Sequence, residues 1–88
     1  MSDINNKIDN LELELDDNTI LSSLFGINDS NLHIIEKINS VKIQYRGNKI
    51  KISGNKKSIL ETKNTILDLF KEAQKGAEID EDKIKDTK

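Results

Sequence analysis

The chain is expected to fold as an α+β domain of order βααββα, with a three-stranded sheet covered on one face by three helices. Three observations carry that expectation. Leucines alternate with acids in Asn10-Leu11-Glu12-Leu13-Glu14-Leu15, the period of a half-buried strand. Apolar residues recur every three or four positions in three separate stretches, the period of helices. Between the second and third of these, Gly47-Asn48 joins two short alternating runs as a tight turn.

Each element has its own signals. In the first strand Leu11, Leu13 and Leu15 share one face, and the intervening acids face water. Asp16-Asp17-Asn18-Thr19 then offers N-caps for a short helix carrying Ile20, Leu21, Leu24 and Phe25, which Gly26 stops. Asp29 or Ser30 caps a second helix, on which Leu32, Ile35 and Ile38 recur at three-residue intervals, Ile34 extends the apolar face, and Asn39-Ser40 marks the end. Val41, Ile43 and Tyr45 alternate with Lys42, Gln44 and Arg46 in the second strand, and Ile50 and Ile52 mark the return strand. Gly54-Asn55 turns the chain, and Asn55 caps a long helix with the stripe Ile59, Leu60, Ile66, Leu67, Phe70 and Ala73, which Gly76 terminates. Residues 1–8 show no period and are expected to be disordered, 9–76 to form the domain, and 77–88 to be a linker or tail.

Composition narrows the function classes. Eighty-eight residues allow one domain with a modest core and little room for a catalytic cavity. With no cysteine there is neither a disulfide framework nor a thiolate metal site, which is compatible with a reducing compartment. No apolar run approaches the roughly 18 residues of a membrane span, and the N-terminus lacks the basic and hydrophobic regions of a secretory signal. The expected location is therefore the cytoplasm, with no membrane partner.

The net charge of −2 hides an asymmetry. Residues 1–40 hold eight acids against Lys7 and Lys37, whereas residues 41–75 hold nine bases against Glu61, Asp68 and Glu72, so the two parts carry −6 and +6. The basic part centres on the hairpin, and a local basic face attracts phosphate even on an acidic protein. Mutual attraction of the two parts is the plainer account of the same pattern.

Leu24-Phe25-Gly26, Asn31-Leu32, Arg46-Gly47-Asn48 and Ile52-Ser53-Gly54 occur in the order in which they recur in the small N-terminal domain of PhoH-like proteins, which this chain resembles over about residues 10–82. The resemblance implies a type I KH-like domain, in which a Gly-x-x-Gly loop between the first two helices clamps about four nucleotides of single-stranded RNA. Here the loop reads Gly26-Ile27-Asn28-Asp29, with Leu32 and Ile35 in the register of the second helix of KH domains. Asp29 replaces the second glycine, no lysine or arginine occupies the middle positions, and the hairpin turn is shorter than the loop that closes many KH grooves. Asp29 is expected to cap the helix whose N-terminus would otherwise hold a phosphate. The resemblance also implies a following P-loop ATPase domain that binds ATP and Mg²⁺, and a role in RNA metabolism beside an endoribonuclease of ribosomal RNA maturation. The chain stops where that domain would begin, as an excised domain, a truncated product or a free-standing relative would.

The expected nucleic-acid contacts are Gly26, Ile27, Asn28 and Asn31 at the loop, Lys42, Arg46 and Lys49 as backbone electrostatics, and Gln44 at a base edge. Tyr45, Phe25 and Phe70 fall on apolar faces and are expected in the core, not as stacking platforms. His33 has no cysteine or second histidine as partner and is expected at the surface, not at a metal. No serine–histidine–acid order is indicated, the acidic pairs read as a helix start and a solvated tail, and no Gly-x-x-x-x-Gly-Lys-Ser/Thr motif occurs. The chain by itself is thus expected to be no enzyme and to hold no cofactor. Two roles compete: an RNA-facing module, favoured by the basic hairpin, and a module docking on the ATPase domain, ring neighbours or the nuclease, favoured by Asp29.

Overall fold

Alternation of side chains decides how the sheet is used. In a computed structural model, which describes residues 9–16 and 18–87, the elements are β1 (Asp9–Glu14), α1 (Asn18–Phe25), a 3₁₀ turn (Ile27–Asp29), α2 (Ser30–Asn39), β2 (Lys42–Arg46), β3 (Lys49–Gly54), α3 (Lys56–Gln74) and α4 (Glu81–Thr87). The strands form one antiparallel sheet in the order β1-β3-β2. Leu11, Ile52 and Ile43 make one cross-strand row, and Leu13, Ile50 and Tyr45 the next; these rows face the helices. The interleaved rows Asn10/Ser53/Lys42, Glu12/Lys51/Gln44 and Glu14/Lys49/Arg46 face away from them, as a two-residue period requires.

The core lies between the inner rows and the helices. Leu21, Leu24, Phe25, Ile35, Ile50, Ile52, Ile66 and Leu69 are each no more than 1% exposed. Asn55 caps α3 as expected, its Oδ1 accepting from the Ser58 N–H at 2.8 Å. The stripe of α3 departs from expectation at Leu60, Thr62, Thr65 and Leu69. Leu60 is 46% exposed, and the face is completed instead by Leu69 and by the buried Thr62 and Thr65. Thr62 tolerates burial because its hydroxyl donates to the Ser58 carbonyl one turn back, at 2.7 Å. Gly76, at φ 92°, ends the helix region: its N–H reaches the Ala73 carbonyl and that of Ala77 the Glu72 carbonyl, each at 3.0 Å.

The α+β class, the three strands and the three expected helices are present; the reading of residues 77–88 as linker or tail needs correction. Ile79 and Ile84 are buried, at 8% and 1% exposed, and α4 packs against α2 and α3. Seven residues are too few for a stable isolated helix, so tertiary contact holds α4. Asp80 Oδ1 accepts the Lys83 N–H at 2.9 Å, and Lys83 Nζ reaches Glu72 Oε1 on α3 at 3.0 Å. That hydrogen bond, with the charges of Lys83 and Lys75, holds the Glu72 carboxyl below its ordinary range. The sequence hid this because two isoleucines in an acidic stretch show no helical period. The expectations for residues 1–8 and for Asp17 as a cap lie outside the described residues.

Ile84→Ala is expected to lower the unfolding free energy by about 2–4 kcal/mol, as for other buried aliphatic truncations. Urea denaturation followed by circular dichroism measures it. A loss within a few tenths of a kcal/mol would show that α4 does not belong to the cooperative unit.

Candidate nucleic-acid interface

The loop between α1 and α2 is built from positive φ angles. Gly26 lies at φ 78°, Asn28 at 55° and Asp29 at 59°. Asparagine and aspartate are among the few side chains that adopt this region without large cost. Gly26 has a second constraint, since a Cβ there would stand 3.0 Å from Asn31 Nδ2 and 3.1 Å from Ser30 Oγ. The result is a tip that holds Ile27 in solvent, 84% exposed, beside the exposed Asn28.

Asp29 does not do what its position suggests. It occupies the N-cap position of α2, but its side chain makes no capping hydrogen bond. A cap needs extended backbone to swing its oxygen over the first N–H groups, and the left-handed conformation denies it that. Its Oδ1 instead accepts from Tyr45 Oη of β2 at 2.7 Å. The Tyr45 ring lies against Phe25, with centroids 4.7 Å apart and planes 39° apart. Tyr45 thus points to the helix side as expected, but at 37% exposed it stands at the rim and is not the core residue expected. Phe25 and Phe70 are buried in the core as expected.

Of the expected contacts, Gly26, Ile27 and Asn28 stand together at the loop. Asn31 is a correction. It is 6% exposed, and its Nδ2 donates to the Leu24 carbonyl at 3.1 Å and the Ile79 carbonyl at 2.9 Å, using both amide hydrogens inside the protein. Asn31 fastens the C-terminal segment to the end of α1. Lys42, Gln44, Arg46 and Lys49 are all exposed, but they lie in the rows of the sheet that face away from the helices. They do not join the loop in one groove.

The far flank of the loop is acidic. A shallow groove has Gly26 and Ile27 on one side and Glu78, Asp80 and Glu81 on the other, with no lysine or arginine in its lining. Glu36 is a positioning residue that the sequence did not disclose. Its Oε2 accepts the Ile43 N–H at 2.7 Å and its Oε1 lies 3.1 Å from His33 Nδ1, tying edge strand β2 to α2. His33 is exposed, as expected. Among the described residues no group of three histidines or acids is placed to hold a metal ion, and no helix is long and apolar enough to cross a membrane.

An open antiparallel sheet of order β1-β3-β2, helices on one face and a glycine loop between α1 and α2 make this an α+β domain compatible with the type I KH-like arrangement. No protein-family model, curated protein or solved structure matches the chain.

The bond donated to Asp29, with burial and the charge of that carboxylate adding to it, raises the Tyr45 phenol above its ordinary value of 10.0. The folded protein therefore keeps this proton at a pH where the unfolded chain loses it. The stability from the bond is complete below about pH 10 and is lost as pH rises through the folded value. Ultraviolet titration of the single tyrosine is expected to show a midpoint above that of a free tyrosine, and Asp29→Gly, which removes the acceptor, is expected to bring it down. A midpoint unmoved by the substitution would mean that the phenol is not bonded to Asp29.

Proposed function

We propose that the chain is an accessory nucleic-acid-binding module of a PhoH-like ATPase, contacting single-stranded RNA weakly and chiefly through phosphates, in RNA metabolism in the cytoplasm. The observation that carries this reading is the interhelix loop, whose positive-φ backbone presents Ile27 and Asn28 to solvent beside β2. An extended strand laid there meets one apolar side chain and one amide. The hairpin bases, on the other face of the sheet, add attraction over a Debye length without touching the same nucleotides. Asp29 opposes a phosphate at the loop, so affinity is low and falls steeply with salt. Hydrolysis of ATP with Mg²⁺ belongs to the P-loop domain of such an ATPase, and an endoribonuclease of ribosomal RNA maturation is the expected partner.

A second reading has its own support. The Asp29 carboxylate and the groove lined by Glu78, Asp80 and Glu81 favour a protein surface, so that the module docks on the ATPase domain, on a neighbouring subunit or on the nuclease.

An amide-resolved NMR titration with a short single-stranded RNA at low and moderate salt tests the first reading. Shifts at Gly26, Ile27 and Asn28 that weaken with salt are its expected outcome; silence at low salt favours the second. Asp29→Gly removes the carboxylate and suits φ 59° better than aspartate does. It is expected to tighten single-strand binding about two- to fivefold, on the scale of one exposed charge. An unchanged affinity would show that the loop does not meet RNA.

A further inference from the structure

The uncovered face of the sheet carries a cluster of cations outside the ion pairs of the fold. Lys42 and Arg46 of β2 and Lys49 and Lys51 of β3 lie there against Glu12 and Glu14 of β1, a net charge of +2. Lys49 and Lys51 stand directly across from Glu14 and Glu12 in the register. Even so, the ion pairs among the described residues lie elsewhere, at His33–Glu36, Lys75–Glu72, Lys83–Glu72 and Lys85–Glu81. Arg46 is paired with Lys49 beside the two-residue turn. Like charges directly opposite each other destabilise a hairpin, and an anion bound between them removes that repulsion. Arg46, Lys49, Lys51 and Gln44 line one hollow together with Glu12, Tyr45 and Ile50.

Among the described residues, the outward rows of the sheet carry no aromatic side chain on which an unpaired base can stack. The chain has three aromatic residues. Phe25 and Phe70 are buried, and Tyr45 points to the helix side against Phe25. Single-strand surfaces combine cations with aromatic platforms, whereas a base-paired backbone presents phosphates and keeps its bases stacked within itself. From Lys42 to Arg46 the cations extend about 13 Å along the strand, and the neighbouring strand adds a second row about 4.8 Å away. That area spans several phosphates of a duplex, which carries one charge per roughly 1.7 Å of its axis.

We infer that the uncovered sheet face binds the phosphate backbone of a base-paired nucleic acid, without reading its sequence, as a surface separate from the interhelix loop. This rests on the nucleic-acid reading above but uses different contacts. Lys42, Arg46, Lys49 and Lys51 carry the binding, and Glu12 and Glu14 limit it at the β1 edge.

Fluorescence anisotropy of the full chain with an RNA duplex and with one of its separated strands, over a salt series, tests the inference. The duplex is expected to bind with a slope of log K against log salt of about −3 to −4 if all four bases neutralise phosphates. Replacing Lys42, Arg46, Lys49 and Lys51 together by glutamine is expected to abolish that slope and lower low-salt affinity at least tenfold. Circular dichroism confirms that this exposed-face variant folds. Glu12→Gln with Glu14→Gln is expected to tighten duplex binding. Duplex binding that survives the fourfold replacement overturns the inference. Binding of the single strand alone, with shifts at the loop, overturns it while leaving the nucleic-acid reading in place; binding of neither at low salt overturns both.

Discussion

The two-residue period of the sheet is the constraint on which the rest of the surface depends. Because successive side chains leave a strand on opposite sides, placing Ile43, Ile50 and Ile52 against the helices compels Lys42, Lys49 and Lys51 to the other side. No shift of register separates the two sets, since a slip of one residue would turn the whole apolar row outward. The chemistry of the protein is divided accordingly. The loop and its groove belong to the helical side and are poor in cations, while the hairpin bases belong to the open side and are poor in aromatics.

Within the helical side, the arrangement of the loop depends on contacts made far along the chain. The Asn31 amide bonds both the end of α1 and the backbone at Ile79, so the segment leading to α4 is part of the loop's support. Burial of Ile79 and Ile84 and the Lys83–Glu72 pair hold that segment in place. Its acids consequently stand beside Gly26 and Ile27, and the surface near the loop has a charge that residues 24–54 alone do not account for. Glu36 gives the β2 side the same treatment, supplying an acceptor to an edge-strand N–H that no neighbouring strand pairs.

Two carboxylates therefore set the character of the candidate site. Glu36 positions the strand. Asp29, kept from capping by its left-handed backbone, joins β2 to the loop through the Tyr45 hydroxyl and places negative charge where a KH-like clamp would receive a phosphate. Under the proposed function, affinity for nucleic acid would come from distributed charge more than from a preformed pocket, and such affinity is adjustable by salt and by neighbouring protein surfaces.

The amino-acid order by itself determined the α+β class, the three strands with their inner and outer faces, the first three helices and the Asn55 cap. Each of these rests on local period or local hydrogen bonding, which a short window contains. The left-handed turn at Asp29 was less legible, because aspartate before a helix signals a cap and only the path of the loop toward β2 forbids it. Tertiary structure alone decided that Asn31 is a buried fastener, that residues 79 and 84 extend the core, that Leu69 replaces Leu60 on the inner stripe, and that the loop and the hairpin bases lie on different faces. Those outcomes depend on which surfaces meet across as many as 48 residues of chain, and side-chain burial between distant segments leaves no period in the sequence to read.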